Sequence, residues 1–457
     1  MGLILNFGLP TLLGMLFQQF YNLMDTMIVG KLLGAQALAA VGSTSSINFF
    51  VIGFCMGVCS GFAIPVAQRM GAGDYARMRR HVANAAYLSI LFATVLTVAT
   101  GLLCRTILTV MNTPGDIFAD AERYIFIIFM GIPTTFLYNL LAGILRSLGD
   151  SRTPVYFLAL SSVLNIALDF AFILWFNAGV AGAAIATVVS QGISGAACLV
   201  FMAKKYPVLR MSREERRLNW SSCRTLCIIG VPMGMQYSIT AIGSIVLQSA
   251  VNGLGSTYVA AVAAGSKLFQ LLGCPFDAMG ATMATYCGQN VGAWKLDRLG
   301  QGIRACALLG VLYSALAFGG MLLFSEPCAM LFLNPGEPEV ERLVALTSQY
   351  IVISSAFFIP LSLVNIVRFS IQGMGYSGFA ILAGVLEMAA RTGVAFFLVP
   401  VFGYTAACFA SPAAWVCADL FLIPASLICI GRLRRKMPVQ AAAREPAPQN
   451  TLETART

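Results

Sequence analysis

Two carboxylates sit where an apolar segment should exclude them. Asp25 closes the run Gln18-Gln19-Phe20-Tyr21-Asn22-Leu23-Met24-Asp25, and Asp169 closes Asn165-Ile166-Ala167-Leu168-Asp169. Ionisable groups kept inside apolar helices are costly, and they mark ion pathways and coupling sites. Asn165 and Asp169 are four residues apart, so a helix places amide and carboxylate on one face. Thr187, in a third apolar stretch, adds a hydroxyl. Such a set can hold one proton between two acids or ligate a small hard cation such as sodium through its oxygens. Either ion removes the cost of burying charge. Its release leaves anionic oxygens that favour another helix arrangement, which makes the set a coupling device. An acid reaching the headgroups would explain Asp25 alone, but it explains two acids and a hydroxyl on three segments less well.

Other polar residues in apolar runs are candidates for a cavity. Gln18, Tyr21 and Asn22 accompany Asp25, and Asn139 lies in the fourth run. The second half offers Gln236, Gln248, Asn365, Glu387 and Arg391. Glu387 and Arg391 are one turn apart and read as an internal ion pair. Asp277 and Asp419 are further acids whose depth the sequence leaves open.

The elements that must position these groups follow from composition. The 457 residues are 58% hydrophobic and only 11% charged, with a mean hydropathy of +0.81. Soluble domains devote about a quarter of their residues to charge, so this chain could not cover itself in water. Its apolar runs are long and continuous, without the alternation of barrel strands. About 20 apolar residues cross a bilayer as a helix, and the runs predict twelve spans. These are 4–29, 36–63, 83–104, 124–146, 153–175 and 179–202, then 225–250, 257–286, 303–325, 345–370, 376–398 and 403–430. The expected fold is therefore an all-α polytopic bundle.

Composition also excludes functions. Thirteen cysteines show no C-x-x-C pattern and lie mostly in apolar runs, as small buried hydrophobes do. The single histidine, His81, falls in a basic loop. No nucleotide-binding loop or nucleophile–base set appears, so the chain reads as neither an enzyme nor the holder of a cofactor. The net charge of +10 is spent in alternate loops: Arg69, Arg77, Arg79 and Arg80; Arg152; Lys204 to Arg217; Lys295 and Arg298; and Arg432 to Lys436. Opposite loops are poor in basic residues, and one carries Glu337, Glu339 and Glu341. This alternation predicts a multi-pass protein of the inner (plasma) membrane with both termini cytoplasmic. The basic loops face anionic lipid rather than nucleic acid. No cleavable signal peptide stands out at the start.

The chain repeats itself in order. Gly8-Leu9-Pro10 matches Gly230-Val231-Pro232, and Gln68-x-x-Gly71 matches Gln289-x-x-Gly292. Asn139 and Gly149 recur as Asn365 and Gly375, both 226 residues later, and Ala183-x-x-Ala186-Thr187 recurs as Ala407-x-x-Ala410-Ser411. Ordered matches across two six-span blocks signal a duplication, with parallel repeats around a central cavity. The boundaries expected are an N-lobe at 1–203, an inter-lobe linker at 204–224 that is helical or strap-like, a C-lobe at 225–431, and a disordered cytoplasmic tail at 432–457.

The stretch Leu9-Pro10 through Gln18-Gln19-x-Tyr21-Asn22-x-x-Asp25-Thr26-x-x-Val29-Gly30, the Asn165/Asp169 pair, Thr187 and Gly149-Asp150-Ser151-Arg152-Thr153-Pro154 resemble multidrug and toxic compound extrusion (MATE) transporters. The resemblance runs over roughly residues 4–431. It implies an antiporter that exports organic cations or amphipathic drugs in exchange for protons or sodium by alternating access. It places the ion site on Asp25, Asn165, Asp169 and Thr187. Expected partners are membrane lipids and a small-molecule substrate, and the expected functional unit is a monomer. Some relatives use acids on the seventh and tenth spans, which this chain lacks. A flippase for lipid-linked or amphipathic metabolites shares the two-lobed architecture but would favour a more cationic groove.

Overall fold

Without water to satisfy the backbone, a spanning segment must bond its own N–H and C=O groups, which a helix does. The computed structural model describes residues 2–111, 113–333 and 339–442, and no strand occurs among them. The first six crossings are Gly2–Leu33; Ala35–Ser43 continued by Ser45–Gly71; Tyr75–Val110; Gly115–Met130 bent into Ile132–Ser147; Arg152–Phe170 continued by a π-helical turn, Ala171–Trp175; and Gly179–Lys205. The second six are Trp220–Asn252; Ser256–Gly292; Asp297–Met330; Val340–Ala356 bent into Phe358–Gly373; Ser377–Gly393 with a π-helical turn, Val394–Leu398; and Val399–Ala442. The bends in the fourth and tenth crossings are 45° and 51°. The last helix is broken at Gly403, with φ 60° and ψ −137°. Residues before that break complete the eleventh crossing and those after it form the twelfth.

The repeat is visible in the backbone. Gly149 and Gly375 both turn the chain with positive φ, 94° and 91°, where an L side chain would be strained. Each half has its own core. One cluster joins Val29, Phe62, Phe129, Ile144 and Ala184 of the first half. Another joins Phe276, Phe358, Ile371, Trp415 and Leu422 of the second. The chain is thus a two-lobed helical bundle.

The lobes meet along the second and seventh crossings and where the eighth packs on the first and second. The meeting is close because glycines line it: Gly57 and Gly61 face Gly234 and Gly230. At its end the repeated Gln-x-x-Gly motifs cross. Gln68 donates to the Gly373 carbonyl at 3.0 Å, and Gln289 to that of Ser147 at 3.0 Å. A Cβ on Gly71 would lie 2.0 Å from the Gln289 carbonyl oxygen, and one on Gly292 would lie 1.8 Å from that of Gln68.

Several expectations change. The third span is longer than 83–104, running Tyr75–Val110, and His81 lies buried on it rather than in a loop. The linker is neither helix nor loose strap. Between Lys205 and Trp220 only Pro207–Leu209 is helical, as a single 3₁₀ turn. Arg79 holds it, donating to both Glu215 oxygens at 2.9 and 2.7 Å and to the Val208 carbonyl at 3.3 Å. Those bonds from Arg79 hold the Glu215 carboxyl down at about 2, and such a bidentate fork fixes geometry as well as charge. Residues 432–442, expected to belong to a disordered tail, are instead helical as the end of Val399–Ala442. Residues 443–457 and the acidic Glu337 lie outside the described residues.

Candidate ion-coupling site

Helical geometry places Asn165 and Asp169 on one face of the fifth crossing, and both are fully buried. The π-helical turn follows within two residues of Asp169. Such insertions widen a helix and recur at functional sites. Asp25, late on the first crossing, brings its carboxyl within hydrogen-bonding range of Asp169. With both acids ionised neither has a proton to offer, and Asp25 Oδ1 and both Asp169 oxygens are buried without a donor. Asn165 Oδ1 is likewise unpartnered. Its Nδ2 donates to Thr187 Oγ1 at 3.3 Å, and Tyr21 Oη meets the same hydroxyl at 3.1 Å. Three crossings therefore converge on one cluster.

The cluster presents four buried oxygens with nothing to balance them: two from Asp169 and one each from Asp25 and Asn165. Buried polar groups are costly when unpaired. One proton shared by the acids would supply the missing donor, and a small cation would accept the same oxygens as ligands. The donor set fits either ion as cargo.

Tyr124 of the fourth crossing, buried within electrostatic range of Tyr21, Asp25 and Asp169, joins this cluster. Sequence reasoning missed it because a tyrosine ahead of Ile125-Phe126-Ile127-Ile128 looks like lipid-facing packing. Other candidates stand apart. Asn139 bonds its own helix at the Thr135 carbonyl, 2.8 Å, and Asn365 bonds that of Leu361, 3.3 Å. Gln248 is exposed and pairs with Asn252 at 2.9 Å. Gln18 and the exposed Asn22 have no side-chain hydrogen bond into the cluster among the described residues.

The second lobe has a different centre. Buried Glu387 pairs most closely with Arg368 of the tenth crossing, while Arg391 lies 3.8 Å away. The expected Glu387–Arg391 pair is thus the longer arm of a triad. Gln372 donates to buried Gln236 at 2.5 Å. Asp419 is buried near Arg368, whereas Asp277 is exposed. The offset that relates Asn139 to Asn365 also relates Asn165 to Arg391. At the same offset from Asp169 stands Ala395, so no carboxylate recurs there.

The MatE family model matches residues 10–171 and 232–397, one match in each lobe. Among curated proteins, the probable multidrug resistance protein YpnP of Bacillus subtilis is 32% identical over 297 residues, covering 64% of this chain and 65% of YpnP. The probable multidrug resistance protein YoeA of the same organism is 30% identical over 338 residues, 72% of this chain and 73% of YoeA. Among solved structures, an outward-facing multidrug resistance MATE family transporter of the MOP superfamily superposes with a TM-score of 0.87 at 21% identity, covering 95% and 96% of the two chains. This likeness shows the fold. The chain belongs to the MATE family of efflux transporters, and it is a multi-pass membrane protein.

Proposed function

We propose that this protein exports small organic cations or amphipathic drugs and couples their export to inward movement of a proton or a sodium ion through the Asp25–Asp169 cluster. The observation that carries the reading is the unbalanced set of buried oxygens on the first and fifth crossings of one lobe, beside the Thr187 hydroxyl of the sixth. The multidrug resistance names of the two Bacillus relatives support the substrate class. Loading an ion pulls the first, fifth and sixth crossings together. Losing it leaves two buried anions that favour a rearranged, hydrated lobe. If the ion-loaded and empty lobes bind substrate differently, each ligand shifts the affinity for the other by the same factor.

The lobes supply the moving parts. Their glycine-marked approaches lie toward the ends carrying the basic loops: Gly57 to Gly71 on the second crossing, Gly230 and Gly234 on the seventh, Gly292 on the eighth. With those loops cytoplasmic, as the positive-inside bias requires, this arrangement closes the cytoplasmic end and corresponds to an outward-open state. The test uses protein reconstituted in vesicles loaded with a cationic dye, with proton and sodium gradients imposed separately. One of the two gradients should drive export. No response to either, with dye binding verified, would reject coupled export.

A further inference from the structure

A polar cavity lies away from the coupling cluster, at the basic-loop end of the bundle beside the Gln68–Gln289 crossing. It encloses about 740 Å³ and takes walls from both lobes. Arg152 reaches it from the start of the fifth crossing, Lys295 from the connection between the eighth and ninth, and Arg298 from the first turn of the ninth. All three are exposed, and none is in an ion pair among the described residues. The one acid in the lining, Asp150, does not balance them. Its carboxylate accepts from the Arg152 and Thr153 amides at 3.0 Å each, from the Thr153 hydroxyl at 2.5 Å, and from the Tyr206 hydroxyl. Burial opposes its charge, but the bonds from Thr153, Tyr206 and the Arg152 amide outweigh this and hold it below the usual carboxylate range. Asp150 is spent capping its own helix.

We infer that this inter-lobe cavity binds a phosphate-bearing anion, held between Arg152 of one lobe and Lys295 and Arg298 of the other. Guanidinium and ammonium groups match phosphate oxygens with charge-assisted hydrogen bonds, and basic pockets between membrane helices on this face bind anionic headgroups. The first crossing extends the site toward lipid. Leu3 and Phe7 line the cavity, and Leu3 is 72% exposed. An anionic glycerophospholipid therefore fits with its headgroup inside and a chain along the first crossing, while free phosphate satisfies the charges alone. Because the ligand touches both lobes, it would favour the form in which their basic-loop ends are joined.

The test measures binding, not transport, so it stands or falls separately from the coupling proposal. Native mass spectrometry compares retention of phosphatidylglycerol and phosphatidylcholine by the full chain. Fluorescence of Trp294, the neighbour of Lys295, follows titration with inorganic phosphate. The variants are R152Q/K295Q/R298Q, its charge-preserving counterpart R152K/R298K, and a control, K204Q/R210Q/R213Q, which removes equal charge from the same face. Wild type, R152K/R298K and the control should retain phosphatidylglycerol about tenfold better than the triple glutamine variant. Retention without lipid preference, but with a phosphate-dependent Trp294 change lost in that variant, would assign the site to soluble phosphate. The proposal is overturned if wild type shows neither effect, if the triple variant matches wild type, or if the control loses as much.

Discussion

Adding one methyl group at the crossing of the two lobes should loosen their joint measurably. Gly71→Ala would set a Cβ 2.0 Å from the Gln289 carbonyl oxygen, and Gly292→Ala one 1.8 Å from the Gln68 carbonyl oxygen. Ordinary contact needs about 3.4 Å, so the second and eighth crossings must part by more than an ångström at a backbone-to-backbone contact. Overpacking of this kind costs about 1–3 kcal/mol. If the strain falls only on the joined form, the equilibrium toward separated ends shifts about 5- to 150-fold. Hydrogen exchange of peptides covering residues 68–74 and 289–295 reads that population directly. Either substitution should accelerate their exchange within that range, and both together should do less than the product because they strain one contact. Gly300→Ala, where nothing lies within 4 Å, should leave them unchanged. Unaltered exchange in both seam variants would refute the reading of this contact as the joint that must part.

Other outcomes follow from the same packing. Glu387→Gln removes the carboxylate facing buried Arg368 and Arg391, and breaking such a triad should cost about 3–5 kcal/mol; an unchanged melting temperature in detergent would contradict this. Glu215→Gln should free the linker and speed tryptic cleavage at Arg210 and Arg213 several-fold, whereas equal rates would mean that Arg79 does not hold it. The Glu215 carboxyl lies near 2, below its ordinary 4.5, so its contribution is complete above that ordinary value and lost as pH falls through about 2. A fluorophore on Ser212 should therefore report a docked linker from pH 7 to pH 5 and release only in strong acid; release near pH 6 would point to another group.

Much of this architecture was legible because hydrocarbon imposes simple rules. Continuous apolar runs gave the crossings, and repeated glycines such as Gly149 and Gly375 recur because both turns need positive φ. Asn165 and Asp169 could be read as neighbours from helical spacing alone. What spacing does not carry is lateral packing. Nothing local pairs Glu387 with Arg368, nineteen positions and an inter-helix turn away, more closely than with Arg391 one turn along. The Gln-x-x-Gly motifs were visible as a repeat, but their reciprocal hydrogen bonds exist only once two lobes meet. Tyr124 was hidden for the same reason: its role depends on which face of the fourth crossing turns inward. The linker was misjudged because its order comes from Arg79 on a distant helix, not from its own propensity.

The central claim is that the Asp25–Asp169 pair converts an ion gradient into export. Dye export from vesicles should be compared for wild type, Asp25→Asn and Asp169→Asn under the gradient that drives wild type, at matched amounts of folded protein and verified dye binding. The account predicts that each substitution abolishes the response to the gradient while dye still binds. Gradient-driven export at the wild-type rate in both variants would contradict it.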